Sequence, residues 1–193
     1  MKQQAEAILP TKWGIFKMLA YANQSDEQMP HLALIHEKFD PGSEVLVRVH
    51  SECMTGDTFG SVRCDCGEQL DKAMELAAQA GGVIIYLRQE GRGIGLINKL
   101  KAYQLQDKGL NTIDANTHLG FEADARQYDI ALEILTDLGI RKIHLLTNNP
   151  LKIKAFKKSN IEVLSRIPLV MEPHTENQNY LDTKKTLMGH FLK

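Results

Sequence analysis

The chain has 193 residues, 43% of them hydrophobic, with 23 Lys and Arg against 24 Asp and Glu for a net charge of −1 and a pI near 6.7. That length fits a single compact domain, 1–193, with an ordinary core, and the charge balance excludes a global positive field suited to a nucleic-acid backbone or an acidic membrane. The start of the chain lacks an apolar h-region and its longest strongly apolar run, Val83 to Leu87, is far too short to span a bilayer, so a cytoplasmic location is expected.

Residues 5 to 52 carry β-like pieces around Gly14 to Ala20, His31 to Lys38 and Val45 to His50, separated by turn material at Asn23 to Pro30 and Asp40-Pro41-Gly42. They read as a small antiparallel meander whose last strand, VLVRVH, delivers Arg48, His50 and Glu52 to the segment that follows. From Gly67, residues Leu70, Ala73, Met74 and Ala77 recur at helical spacing until Gly81-Gly82 stops the helix. Val83 to Arg88 is a buried strand, and after a glycine-rich turn Leu96, Leu100 and Tyr103 stripe a second helix that ends near Gly109. A loop holding Thr112 and His118 leads to a third helix from about Asp124 to Leu138, stopped by Gly139. Lys142 to Thr147 is another buried strand, Asn149-Pro150 caps and starts a helix through about Lys158, IEVLSRIPL returns as strand, and the tail is helical from about Tyr180. Strand and helix alternate through the second half. The expected class is α/β, with an N-terminal antiparallel β portion and a mixed, partly parallel sheet flanked by helices.

All three cysteines, Cys53, Cys64 and Cys66, lie within HSECMTGDTFGSVRCDCG, His50 to Gly67. An odd, clustered set argues against a disulfide framework and fits a reducing compartment with thiols available for a soft metal, zinc first. Cys64 and Cys66 share a face only in an extended segment, which would make them a pincer closed by Cys53 across the turn Thr55-Gly56-Asp57. Three readings stay open from the residues alone: unrelated thiols, a closed structural site with His50 or a remote histidine as fourth ligand, and an open site whose fourth position holds water.

The turn Gln89-Glu90-Gly91-Arg92-Gly93-Ile94-Gly95 joins a buried strand to a helix, where backbone amides can meet a phosphate, although the glycines serve tight packing equally well. Arg92 offers a bidentate phosphate donor, and Glu90 better suits a donor-rich edge such as the N1–H and 2-amino group of guanine. Asp124 and Arg126 form a D-x-R pair, with Asp124 and Gln127 also readable as a helix cap. Thr147 and Lys152 lie beyond the carboxyl end of a buried strand, where open α/β sheets bind ligands, but Lys152 also fits a solvated face with Lys154, Lys157 and Lys158. His50 and Tyr103 are readable as core residues.

Together, HSECMTGDTFGSVRCDCG, QEGRGIGLINKLKAY, LGFEADAR, LLTNNPLK and NYLDTKKTLMGH resemble GTP cyclohydrolase II, which opens riboflavin synthesis, in its stand-alone form without a fused dihydroxybutanone phosphate synthase domain. The resemblance implies one Zn²⁺ per chain held by Cys53, Cys64 and Cys66 plus water, and Mg²⁺ accompanying the triphosphate. It implies nucleotide contacts from Arg48, Val49, His50, Ser51, Glu52, Gln69, Glu90, Gly91, Arg92, Thr112, Thr147 and Lys152. It makes Asp124 and Arg126 catalytic, as proton acceptor and as the group acting at the α-phosphorus; a permanently protonated guanidinium suits charge stabilisation better than nucleophilic attack. Tyr103 is the candidate for polarising a formyl intermediate. The implied reaction is zinc-assisted opening of the guanine imidazole ring at C8, with loss of formate and pyrophosphate. The implied partners are GTP and a second copy of the chain in a homodimer, with no nucleic acid and no membrane. Two rivals remain: a zinc nucleobase deaminase, since His50-Ser51-Glu52 satisfies H-x-E although P-C-x-x-C is missing, and a zinc-stabilised nucleic-acid-binding module, opposed by the charge.

Overall fold

A computed structural model describes residues 1–192, and the backbone falls into two compact units. Unit 1 comprises Met1–His50, Leu70–Arg88 and Tyr128–Leu169; unit 2 comprises Ser51–Gln69, Gln89–Gln127 and the chain from Val170 onward. The class is α/β, as expected.

Unit 1 is organised by a seven-stranded mixed sheet of β1 (Lys2–Thr11), β2 (Gly14–Ala22), β3 (His31–His36), β4 (Val45–Ser51), β5 (Val83–Leu87), β6 (Lys142–Leu146) and β7 (Glu162–Ile167). Their order is β1-β2-β3-β5-β4-β6-β7, antiparallel from β1 through β3 to β5 and parallel from β4 through β6 to β7. The expected meander is therefore correct only for the first strands. β4 leaves it, because every residue from Val45 to His50 is buried, and such a strand is stable only in a sheet interior covered on both faces. β5 takes the place beside β3. β1 escapes sequence reading for the opposite reason: nearly all of its residues are exposed, so no apolar alternation marks it. It is held by pairing with β2 across a two-residue turn at Lys12-Trp13.

The core joins Val47, Val83, Ile85, Leu87, Ile143 and Leu145 of the sheet to side chains of α5 (Asp129–Asp137) and α6 (Pro150–Phe156). α5 packs on β5 with Ala131, Ile134 and Leu135 buried, and α6 packs on β7. α6 starts as expected, with the Asn149 side chain accepting the Leu151 N–H and Pro150 in the first turn. α5 does not start at Asp124. That carboxylate is engaged by Arg126 instead of capping a helix, and the helix begins five residues later. α2 (Cys66–Ala80) buries Ala73, Met74 and Ala77 and ends at Gly81, whose φ of +71° is left-handed.

Unit 2 contains α1 (Met54–Asp57), the first turn of α2, a 3-10 turn over Glu90–Gly93, α3 (Gly95–Gln106), α4 (Thr112–His118) and α7 (Gln178–Thr186). α3 packs against α4, and α4 against α7. Thr112 and His118, expected in a loop, are the two ends of α4, which Asn111 caps by accepting the N–H groups of Ile113 and Asp114. The face of α3 also differs from its apolar stripe. Leu100 is 48% exposed, and the buried residues are Lys99 and Ala102. No helix among the described residues is long and apolar enough to cross a membrane.

A side chain at Gly81 would be strained by the positive φ and would sit 2.7 Å from the Lys38 carbonyl oxygen, whereas Gly109, also at positive φ, has nothing within 4 Å. Gly81→Ala is expected to lower stability by about 2–4 kcal/mol and Gly109→Ala by about 1 kcal/mol, measured by urea unfolding.

Candidate active site

The site is built first on backbone. α1 and the start of α2 approach so closely at Gly56 and Gly67 that a Cβ on Gly67 would collide with the Gly56 carbonyl oxygen. A Cβ on Gly56 would lie 3.2 Å from Cys53 Sγ and 3.3 Å from Cys64 Sγ. Two glycines thus clear the space in which the three thiols meet. Cys53 precedes α1, Cys64 lies in the bend before α2, and Cys66 is the first residue of α2. The Cys64–Cys66 pair is therefore not an extended pincer. A chain turning into a helix, with Cys66 as its first residue, brings both sulfurs to Cys53 instead.

The three sulfurs lie within 4.8 Å of one another, with Cys53 Sγ 3.6 Å from Cys64 Sγ. Tetrahedral zinc, with Zn–S near 2.3 Å, sets its sulfurs about 3.8 Å apart, so this donor set fits the ion. It is the one such group of His, Cys, Asp and Glu among the described residues, and it contains no histidine. Hydrogen bonds from Cys64 and Cys66, joined by the Lys99 cation, hold the Cys53 thiol far below its usual range. The same bond to Cys53 pushes Cys64 up to about 11.

Further contacts fix the ligand loop. The Cys53 N–H donates to Asp57 Oδ2 at 2.9 Å. Asp65, between two thiols, is 1% exposed and accepts from Lys184 Nζ of α7 at 2.6 Å and from Gln69 Nε2 at 2.5 Å. Burial pushes the Asp65 carboxyl up, but the Lys184 charge and hydrogen bond prevail and hold it below the usual range. Lys184 in turn lies 4.3 Å from the centre of the Tyr180 ring. Asp65, flanked by two clustered cysteines, already reads from the sequence as an acid/base group beside the thiols, whereas neither Lys184 nor Tyr180 is singled out there as a site residue.

The thiols open onto a cleft in unit 2. Ser51, Glu52, Glu90, Gly91, Arg92, Tyr103, Thr112 and Arg126, all expected site residues, line it; so do Lys99, Asn116, Arg63 and Tyr180, which were not. Tyr103 reaches the site from α3, its hydroxyl 3.4 Å from Thr55 Oγ1. Gln69 is bonded to Asp65 and Asp124 backs Arg126, and neither is among the lining residues.

The glycine-rich turn works by packing and by its side chains. The Gly91 N–H donates to Glu90 Oε1 and the Gly93 N–H to the Gln89 carbonyl, so these two amides are already engaged. Both Gly91 and Arg92 have left-handed backbones, with φ of 63° and 62°. The Arg92 conformation is one that a non-glycine residue adopts at a cost of about 1–3 kcal/mol. That turn aims its guanidinium so that Nη1 donates to the Ala123 carbonyl, while Nη2 is buried with no hydrogen-bond partner among the described residues. A buried guanidinium nitrogen of that kind calls for an acceptor from outside the protein. Beside it, Arg126 is gripped by Asp124 through Nε at 2.7 Å and Nη2 at 2.5 Å. Burial raises the Asp124 carboxyl, but this bidentate contact outweighs it and keeps the group ionised below the ordinary aspartate range.

Unit 1 gathers the remaining expected residues at the carboxyl ends of the parallel pair β4 and β6. Arg48 donates to the Leu146 carbonyl, His50 stacks on Tyr86, and Thr147 Oγ1 accepts the Asn149 N–H. Lys152 is 5% exposed, with Nζ 2.6 Å from the Val49 carbonyl, so the solvated-face reading does not hold for it.

Gly67→Ala would push α1 away from α2 and spread the thiols. A loss of zinc affinity of about tenfold or more is expected, read by competition with a chromophoric chelator.

A profile of the family described as GTP cyclohydrolase II matches residues 2–168. GTP cyclohydrolase-2 of Shewanella sediminis is 50% identical over 193 residues, covering 100% of this chain and 94% of that protein. Riboflavin biosynthesis protein RibBA of Chlorobium phaeovibrioides is 49% identical over 193 residues, and that of Bacillus cytotoxicus 51% identical over 191. These cover 100% and 98% of this chain but 47% and 48% of those proteins, so the chain spans about half the length of its RibBA relatives. With the thiol cluster and the arginine-lined cleft of unit 2 in place, the chain belongs to the GTP cyclohydrolase II family.

Proposed function

We propose that the chain, residues 1–193 serving as one GTP cyclohydrolase II-like domain, hydrolyses GTP. The products are formate, pyrophosphate and 2,5-diamino-6-ribosylamino-4(3H)-pyrimidinone 5′-phosphate, the first step of riboflavin biosynthesis. The observation that carries this reading is one cleft lined both by three clustered thiols and by arginines, Arg92 and Arg126 among them, chemistry for a ring carbon and for phosphate in a single cleft.

Cys53, Cys64 and Cys66 would hold one zinc, which supplies Lewis-acid activation of water for the two C–N hydrolyses. The protein's own groups do the rest. Arg92, with a buried nitrogen in need of an acceptor, takes a phosphate oxygen. Arg126, oriented by Asp124, stabilises charge at the α-phosphorus as pyrophosphate departs with Mg²⁺. A bidentate grip of this kind keeps the guanidinium protonated and fixed, which favours charge stabilisation over covalent attack, and a proton-accepting role for Asp124 rests on the family resemblance alone. Tyr103, its hydroxyl raised above the usual range chiefly by burial, stays protonated and donates to the formyl oxygen. The Glu90 carboxylate accepts three protein hydrogen bonds and keeps acceptor capacity for a guanine edge. Ser51, Glu52, Gly91 and Thr112 shape the nucleotide cleft; Gln69, Arg48, Val49, His50, Thr147 and Lys152 enter the nucleotide site by family resemblance. The same resemblance supports a cytoplasmic homodimer acting on a small molecule, with no nucleic acid or membrane partner. The deaminase alternative loses its H-x-E basis, since His50 is not part of the metal-capable group.

Zinc-loaded protein with GTP and Mg²⁺ is expected to yield formate and pyrophosphate, and absence of formate would end this reading. Cys64→Ser is expected to abolish zinc binding and formate release while retaining part of the pyrophosphate release; equal loss of both from a folded variant would contradict the division of the cleft. Arg126→Ala is expected to slow pyrophosphate release by about 100-fold or more in a phosphate-coupled assay.

A further inference from the structure

α3 buries a lysine that lies outside its sequence stripe of Leu96, Leu100 and Tyr103. Lys99 is 9% exposed, and its amine faces two acceptors: Cys53 Sγ at 3.1 Å and Glu90 Oε1 at 2.8 Å. Glu90 uses its other oxygen, Oε2, to accept the N–H of Met54, the residue after the metal ligand, at 2.6 Å. Cys53 is therefore gripped on both sides, by a cation at its sulfur and by a carboxylate at the next peptide. The turn and α3 also pack closely there: a Cβ on Gly91 would lie 3.1 Å from Lys99 Cβ.

We infer that Lys99 is a positioning residue that tunes the Cys53 thiolate and couples it, through Glu90, to the turn that carries Arg92. The inference rests on the zinc reading of the three cysteines. Three thiolates around a divalent cation leave an excess negative charge, and a thiolate that keeps its full charge donates strongly and blunts the ion as a Lewis acid. An ammonium hydrogen-bonded to one sulfur withdraws charge from it and fixes its orientation. Glu90 holds that ammonium in place, so a ligand that draws on the Glu90 carboxylate also shifts the donor at Cys53. Recognition of a nucleotide at Glu90 and the electrophilicity of the metal are linked through one side chain.

The test compares purified full-length protein with Lys99→Met and Lys99→Arg, each loaded with zinc or with cobalt as a spectroscopic probe. Competition with a chromophoric chelator reads affinity, and the near-ultraviolet thiolate-to-cobalt charge-transfer band reads the electron density on sulfur. Lys99→Met is expected to lose about 10- to 100-fold in zinc affinity and to move the band to longer wavelength, and Lys99→Arg to recover most of both. Unchanged affinity and an unchanged band in Lys99→Met of normal thermal stability would overturn the inference. If Lys99→Met does not fold, Lys99→Gln, a neutral donor of similar length, must show an intermediate band; a wild-type band there overturns it equally. Wild-type protein that binds no zinc overturns this inference together with the metal reading, whereas zinc-loaded wild type that releases no formate ends only the proposed reaction.

Discussion

Three sulfurs brought within 4.8 Å of one another are the constraint on which unit 2 depends. Thiols that close repel as thiolates and gain little as neutral groups, so the backbone must force them together. It does so where Gly56 and Gly67 let α1 and the first turn of α2 touch. The contact leaves no room for a side chain at Gly67, and the space at Gly56 is bordered by the cysteines themselves. The loop is then fixed from outside by Asp57 on the Cys53 amide, by Lys184 on Asp65, and by Lys99 and Glu90 on Cys53 and its successor. Each of these ties lies in a poorly solvated place, where a lost partner would expose an unpaired charge.

The chemistry of the cleft follows from which groups are already satisfied. Gly91 and Gly93 spend their amides within the turn, so the donor left open there is on Arg92, whose left-handed backbone directs the guanidinium and leaves one buried nitrogen without an acceptor. Asp124 is occupied in holding Arg126, so the arginine, not the aspartate, faces the cleft. This division of labour gives a family member a fixed pair of guanidinium groups in the same cleft as three clustered thiols. Preorganisation of that kind is where electrostatic catalysis gains most, since little rearrangement accompanies the reaction.

Much of this was legible in the chain because it rests on local rules. The apolar runs of β4, β5 and β6, the stop at Gly81, the Asn149-Pro150 start and the clustering of cysteines depend on neighbours within a few residues. What misled was also local. The stripe of Leu96, Leu100 and Tyr103 pointed to one face of α3, but the helix buries Lys99 and Ala102, because a cation with a thiol and a carboxylate to meet outweighs an apolar side chain left at the surface. Asp124 had the pattern of a cap and serves as an arginine anchor, since the bidentate contact is stronger than one capping bond. β1 had no pattern at all, being exposed on both faces and held by its hairpin alone.

By itself the sequence determined the class, the family and the clustering of the three cysteines, because these follow from residue types at fixed spacings. Only the tertiary structure decided which strand lies beside which, that Cys64 and Cys66 converge through a helix start, and that Lys99, Lys184 and Tyr180 belong to the site. Those outcomes depend on contacts such as Lys184 with Asp65 and Lys99 with Cys53, between residues 119 and 46 positions apart. No local spacing encodes such a contact; it arises from the requirement that every buried charge find a partner wherever the fold provides one.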